Sequence, residues 1–112
     1  SSEPRISLRK SGSIGISKAA MSQWFQDVDA VVLHFDKDNN RIGLEPAEED
    51  NEHSYTISRS EGGGSVTPSA FLSKYDLTPE VTTRYRAEWD EDNKLVSADL
   101  DESVGTYGSS ED

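Results

Sequence analysis

The chain has 112 residues, with 22 acidic against 11 basic side chains, a net charge of -11 at pH 7 and no cysteine. This length suits one domain, or two very small halves that share one core. The lack of cysteine excludes a disulfide framework and a thiolate metal site. No apolar run approaches the roughly 20 residues of a membrane-spanning helix, and no signal-peptide pattern is visible. We therefore expect no membrane association, and the cytoplasmic location that we expect follows from the salt adaptation described next.

The strong acidity has two possible explanations. Low hydrophobicity combined with high net charge is typical of disordered chains. The same composition suits a protein that must stay hydrated in molar salt, where the Debye length falls to about 3 Å and repulsion between carboxylates is weak. The apolar residues of this chain are periodic, which disorder does not predict. We therefore expect a folded, halophilic protein in a potassium-rich solvent.

The first half of the chain predicts a strand, a turn, a short strand, a helix and a hairpin. The helix is expected from Lys18 to about Val28, with Ser17 as its N-cap and an apolar stripe at spacings of three and four residues. An Asp- and Asn-rich segment is typical of a hairpin turn, since these residues tolerate left-handed backbone. The expected ranges are strands at 5–10, 14–16, 30–35 and 41–45 and a hairpin turn at 36–40.

The second half repeats this pattern after an acidic linker. Tyr55 and Ile57 alternate in a strand, glycines follow in a turn, and Thr67-Pro68 predicts the N-cap and first residue of a short helix. A strand at 83–90, a second acidic hairpin turn and a last strand at 94–100 complete the copy. The Gly-, Ser- and acid-rich residues at the C-terminus predict disorder.

Two local matches indicate an internal repeat. Residues 15–21 match residues 65–71 at an offset of 50, and residues 35–39 match residues 89–93 at an offset of 54. One copy is too small to bury its own apolar face, so the copies should share a core. We predict an α+β fold in which two pseudo-symmetric strand–helix–hairpin units form one small β-rich, swapped-hairpin or barrel-like domain. The expected boundaries are a flexible N-terminus at 1–4, repeat unit 1 at 5–46, an acidic linker at 47–53, repeat unit 2 at 54–100 and a disordered acidic tail at 101–112.

The half-repeat resembles the swapped-hairpin unit of the AbrB and MraZ families. The matching residues are 11–18 and 62–68, where a small-residue turn and a short strand lead to a polar residue followed by Lys18 or Pro68. Two units in one chain resemble the tandem arrangement of MraZ, which implies a DNA-binding transcriptional regulator. The chain lacks the Asp-x-x-x-Arg element and the turn arginine usual in MraZ proteins. Glu61 in the second turn repels phosphate, so DNA contacts are expected in the first repeat.

The N-terminal quarter of the chain is basic although the whole is acidic. Residues 1–26 contain four basic residues against Glu3 alone, a net charge of +3. This is the segment with which a swapped-hairpin regulator would contact phosphates. An acid-free stretch also arises by chance, and these cations have acidic partners available elsewhere in the chain. The candidate DNA-binding residues are Arg5, Arg9, Lys10 and Lys18.

No motif for catalysis, a cofactor or a metal is present, so we predict that the protein is not an enzyme. The acidic hairpin at 36–40 lacks the Gly and Glu positions of a calcium-binding EF-hand loop, and no Lys follows the glycines as a phosphate loop requires. His34 and His53 follow no ligand spacing. The alternative function is a protein-interaction module that binds its partner through an exposed strand edge or through Arg84 and Arg86. Homo-oligomer formation is left open by the sequence.

Overall fold

The computed structural model describes residues 3–107, which form nine β-strands and two short α-helices. Neither helix within these residues has the length and the apolar character needed to cross a membrane. The elements are β1 Arg5–Leu8, β2 Ile14–Ser17, α1 Lys18–Trp24, β3 Ala30–Asp36, β4 Arg41–Ala47, β5 Ser54–Thr56, β6 Ser58–Ser60, β7 Gly63–Val66, α2 Ser69–Lys74, β8 Thr82–Asp90 and β9 Leu95–Tyr107.

All nine strands belong to one antiparallel sheet that curls into a nearly closed barrel. The strand order is β5-β3-β4-β9-β8-β1-β2-β7-β6. The two strands at the ends of this order, β5 and β6, are consecutive in the chain and are separated only by Ile57. The Ile57 amide donates to the Asp29 carbonyl at 2.9 Å. One chain segment therefore pairs with β3 through its first part and with β7 through its second part.

The strand pairing is unchanged when the two halves of the chain are exchanged. The β1–β2 and β3–β4 hairpins of the first half correspond to the β6–β7 and β8–β9 hairpins of the second. The pairs β2–β7 and β4–β9 join corresponding strands. Because β5 and β6 together correspond to β1, the β1–β8 pair corresponds to the β5–β3 pair. Each half therefore depends on the other for its neighbouring strands, and the barrel cannot be divided into two independent sheets.

The apolar core fills the inside of the barrel. Alternate residues of β1 and β2 point inward, so Ile6 and Ile16 are almost completely buried while their neighbours face outward. Helix α1 contributes Ala20 and Met21, and α2 contributes Leu72. Most of the remaining core comes from β3, β4, β7, β8 and β9, namely Val31, Leu33, Ile42, Leu44, Val66, Tyr85, Ala87, Val96 and Ala98.

The predicted α+β fold of two strand–helix–hairpin units is wrong, because the described residues form one nearly closed nine-stranded sheet, with 51% of residues in strands and only 12% in helices. The helix expected to reach Val28 ends at Trp24. Phe25 is fully buried, and Arg59 donates to the carbonyls of Phe25 and Val28, so these carbonyls are bonded by a side chain instead of by a further helical turn. Two helices of seven and six residues are too short to form a layer, and the curled sheet encloses the core instead.

Ser17 is the N-cap of α1, as predicted. Its hydroxyl accepts the Ala20 amide at 3.2 Å and the Arg5 amide at 2.9 Å, which ties the helix start to β1. The second helix differs from the prediction, since Pro68 itself is the N-cap residue and no side chain caps α2. The first helix start is therefore the more firmly bound to the sheet.

The two acidic hairpin turns have the same geometry. Asp36 accepts the amide of Asn39 at 3.2 Å and its side-chain Nδ2 at 2.8 Å. In the second turn Asp90 accepts the corresponding groups of Asn93 at 3.1 and 2.9 Å. The residue after each Asn has a left-handed backbone, with φ values of 53° at Asn40 and 57° at Lys94. These sequence matches therefore correspond to matching hydrogen bonds.

Both predicted flexible ends take part in the fold where they are described. Residues 101–107, expected to be disordered, continue strand β9 beside β8. They do so because the register shifts beside Tyr85, where a β-bulge lets β9 resume its pairing. At the other end, the Pro4 carbonyl accepts the Ala87 amide at 3.1 Å. The remainder of the predicted tail, residues 108–112, lies outside the described residues.

Candidate functional site

The outer face of β8, β1 and β2 carries a cluster of basic side chains. Inward-facing Ile6 and Leu8 alternate on β1 with Arg5 and Ser7, whose side chains face outward. On β8, buried Tyr85 is followed by exposed Arg86 in the same alternation. Because β1 lies between β2 and β8, the outward residues of all three strands share one surface.

A cleft of about 450 Å³ lies on this surface, and we call it the basic cleft. Four of its lining residues are cationic, and Glu3 is the one acid among the described residues that line it. These charges come from distant parts of the sequence that β1 and β8 bring together. The basic cleft is lined by Glu3, Arg5, Ser7, Arg9, Gly15, Ile16, Ser17, Lys18, Gly62, Thr82 and Arg84.

Small residues form the floor on which two arginines lie. One row of residues paired across five strands, from β9 through β8, β1 and β2 to β7, consists of Gly105, Arg84, Ser7, Gly15 and Ser65. A Cβ atom on Gly15 would lie 2.5 Å from Nη2 of Arg9, and a Cβ on Gly105 would lie 2.7 Å from Nη2 of Arg84. The two guanidinium groups therefore lie across glycines.

Three of the four predicted DNA-binding residues line the basic cleft. Arg9 donates from Nη1 to Ser65 Oγ at 3.1 Å, which fixes its guanidinium over the β2–β7 pair. Lys18, the first residue of α1, is exposed at the cleft border. Lys10 is exposed in the turn after β1 and does not line the cleft, although its amide donates to Thr82 Oγ1 at 3.4 Å. Lys10 is therefore adjacent to the site.

The alternative pair, Arg84 and Arg86, lies on this same face. Arg84 lines the basic cleft together with Arg5 and Arg9, while Arg86 is paired in register with Arg5. In the sequence, the two sets of residues support two competing functions, and their proximity is not predicted. Alternation along β8 indicated that Arg84 and Arg86 share a face, but no signal in the sequence gave the β1–β8 register.

Glu3 bridges the paired arginines. Its Oε2 accepts from Nε of Arg86, and its Oε1 lies 3.5 Å from Nη2 of Arg5. The hydrogen bond from Arg86, with a smaller contribution from Arg5, lowers the pKa of Glu3 below its ordinary value. The same bond to Glu3 raises the pKa of Arg86. The Nε of Arg5 is buried without a hydrogen-bond partner.

A second surface, over β3, β4 and β9, has the opposite character, and we call it the acidic face. Its depression of about 400 Å³ is lined by both acidic hairpins and by Arg41, among other residues. Arg41 donates to Ser97 Oγ at 2.7 Å and lies 3.5 Å from Glu88 and 3.7 Å from Asp99. The cation of this face is therefore surrounded by protein carboxylates.

The basic cleft is suited to anion binding more than to proton transfer. Arginine stays protonated at any ordinary pH, and neither arginine nor charged lysine accepts hydrogen bonds. Within residues 3–107, no group of three or more His, Cys, Asp or Glu side chains is arranged to hold a metal ion. His34 instead contacts Glu45 at 2.8 Å on the acidic face, and exposed His53 lies 3.5 Å from Glu52.

Comparison with protein-family models, curated proteins and solved structures finds no match to this chain.

Proposed function

We propose that this chain is a small, non-enzymatic DNA-binding protein that acts as a transcriptional regulator of the swapped-hairpin type. The observation that supports the proposal is the basic cleft, where three arginines and one lysine converge on a floor of small residues. In a chain with a net charge of -11, such a concentration of cations needs an explanation beyond folding. Binding an anionic backbone is the explanation that uses all four.

The chemistry of the cleft suits phosphate. Planar guanidinium groups donate two parallel hydrogen bonds to phosphate oxygens, and such charge-assisted bonds are among the strongest that proteins make. None of the described side chains that line the cleft is aromatic, so these side chains offer bases no stacking platform. We therefore assign the cleft to the phosphate backbone of duplex DNA, with base contacts made from the adjacent turn that begins at Lys10.

The proposal includes a salt-rich cytoplasm. Molar potassium salt screens long-range attraction and suppresses much of the counterion-release contribution to DNA binding. Binding must then come from close, well-oriented contacts. Arginines held in place by Ser65 and by the glycine floor supply such contacts with less conformational freedom to lose than extended lysines.

Fluorescence anisotropy with genomic duplexes of about 30 base pairs in molar KCl tests the proposal. Wild-type protein should bind, and the combined Arg9→Gln and Lys18→Gln substitutions should weaken binding at least about tenfold while lowering stability by no more than about 1 kcal/mol. Lys37→Gln together with Lys74→Gln, which removes two charges outside the lining of the cleft, serves as the matched control. Absence of wild-type binding to any genomic duplex would contradict the proposal.

A protein-interaction module is the second candidate, and the position of Glu3 favours it. Glu3 shows that a carboxylate fits between Arg5 and Arg86, so an acidic segment of a partner protein has a suitable place to bind. Affinity capture from a high-salt lysate after nuclease treatment separates the candidates. A partner that is retained after nuclease treatment and lost with Arg84→Gln would favour the interaction module over DNA.

A further inference from the structure

We infer that Arg5 and Arg86 form a second phosphate position, which Glu3 occupies in the free protein and must leave when DNA binds. This inference rests on the proposed DNA-binding function and extends it. The N-terminal segment then acts as an internal competitor for the nucleic acid. Three observations support it: the register of the two arginines, the placement of Glu3, and the unpartnered nitrogen of Arg5.

The register places two like charges side by side. Arg5 and Arg86 are directly opposite each other on adjacent antiparallel strands. Like charges in this position repel, and an anion placed between them removes the repulsion. The carboxylate of Glu3 fulfils this role, with one oxygen toward each arginine. Any oxyanion of similar geometry would serve the same purpose.

The Arg5–Arg86 pair lies beside the Ser7–Arg84 pair on the same face of the sheet. Its members are two residues further along β1 and β8, so the two pairs are separated by about 7 Å. This separation is comparable with the distance between successive phosphates on one nucleic-acid strand. A phosphate at Arg84 would therefore bring its neighbour close to the position that Glu3 occupies.

The bonding of Glu3 is incomplete in a way that a phosphate would correct. Nε of Arg5 is buried and has no hydrogen-bond partner, although such groups are normally paired. Glu3 lies at 3.5 Å from Nη2 of Arg5, a distance at which the bond is weak. A phosphodiester of DNA carries the same single charge as this carboxylate, and its two non-bridging oxygens can each accept from one of the arginines.

Glu3→Gln tests the competition directly, since it removes the charge while keeping the size of the side chain. In molar KCl, Glu3→Gln should bind a 30-base-pair duplex about two- to fivefold more tightly than wild type. Glu49→Gln, which removes one exposed acid from the linker, is the matched control and should change the affinity little. Equal affinities of the two variants would overturn the inference.

Arg86→Gln, made in the Glu3→Gln background, distinguishes a phosphate ligand from a mere partner of Glu3. If Arg86 binds phosphate, this second substitution should lower DNA affinity again by about two- to fivefold. If Arg86 serves only to hold Glu3, the double variant should bind like Glu3→Gln, and the inference fails. Thermal unfolding of each variant in the same buffer checks that folding is unchanged.

Pyrophosphate provides a probe that does not depend on DNA. Its titration is followed through the NMR signal of the Arg86 Nε–H group, which should move at lower pyrophosphate concentrations in Glu3→Gln than in wild type. A signal that stays fixed in both proteins would overturn the inference even if DNA binds elsewhere in the cleft. If the signal moves as expected while no duplex binds, the DNA-binding proposal fails and the oxyanion position stands.

Discussion

The basic cleft and the acidic face use arginine in opposite ways. On the acidic face, Arg41 lies near Glu88 and Asp99 and donates to the buried Ser97 hydroxyl, so its charge and its donors are satisfied by the protein. In the basic cleft, Arg9 lies across Gly15 and is bonded to the neutral hydroxyl of Ser65. The first arginine joins strands, whereas the second carries a charge that no carboxylate among the described residues of the cleft neutralises.

The presence or absence of a carboxylate partner separates structural from functional cations in a very acidic protein. With 22 acidic residues, a basic side chain finds a carboxylate easily, and a paired cation carries little information. Cations gathered on a small-residue floor are the informative case, because Glu3 is the one acid among the described residues beside them.

Removing arginines from the basic cleft should change DNA binding more than any other substitution, whereas removing Arg41 from the acidic face should change only stability. Arg9→Gln combined with Arg84→Gln should reduce the affinity for duplex DNA in molar KCl at least about tenfold, because two charge-assisted phosphate contacts are lost. Arg41→Gln should leave binding unchanged and instead lower stability by about 1 kcal/mol through its bonds to Ser97. Anisotropy and urea unfolding measure the two quantities. The reverse pattern would show that the faces have been assigned wrongly.

Salt should affect folding and binding in opposite directions. At low ionic strength the excess negative charge of -11 repels within a small domain, so the unfolding temperature should rise by about 5 °C or more between low and molar KCl. Equal unfolding temperatures would contradict the halophilic interpretation.

DNA affinity should instead fall as salt increases, provided that the protein is folded at each salt concentration compared. Loss of one phosphate contact through Arg9→Gln should reduce the slope of log affinity against log salt by about 1. Arg41→Gln should leave that slope unchanged and serves as the control. An unchanged slope for Arg9→Gln would show that Arg9 does not contact phosphate.

A smaller effect is expected from Gly15→Ala, which keeps every charge. The added Cβ would meet the flexible end of Arg9, so the guanidinium must shift while the fold needs little adjustment. DNA affinity should decrease about two- to fivefold with unchanged stability. Gly62→Ala is a suitable control at the cleft border, because a Cβ there has no atom within 4 Å. Equal affinities would show that the flat placement of Arg9 is unimportant.

The local features of the fold were predictable from the sequence, and the non-local ones were not. Ser17, the two acidic turns and the alternation on β1 and β8 follow from short-range chemistry. The closure of the barrel depends on pairings such as β2 with β7, which join residues about 50 positions apart. The helix ended early because of Arg59, a distant residue that no periodicity reveals.

The candidate site was predictable in part for the same reason. Charge asymmetry identified Arg5, Arg9 and Lys18, which are close in sequence. The sequence links Arg84 only to the alternative protein-interaction function, because it is the β1–β8 register that brings Arg84 beside Ser7. In the sequence, Glu3 contributes only to the net charge of residues 1–26. Its position between two arginines depends on that same register.

The smallest expected effect concerns the anions of the acidic face. Hydrogen bonds from Asn39 and Asn93 lower the pKa values of Asp36 and Asp90, so these carboxylates stabilise the fold above the ordinary Asp pKa of about 4. That contribution is lost as the pH falls through the lowered pKa. Asn39→Ala should raise the pKa of Asp36 toward its ordinary value, measured by NMR titration, and the unaltered Asp90 turn provides an internal control. An unchanged Asp36 pKa would contradict this assignment.

On the proposed function, the basic cleft contacts DNA and the acidic face does not. Backbone NMR of wild-type protein in molar KCl, with and without a bound duplex, distinguishes the two surfaces. We expect shifts concentrated in β1, the start of α1 and the Arg84 region of β8, with little change around Arg41 and the two acidic turns. Shifts centred on the acidic face, or no shifts with any genomic duplex, would contradict it.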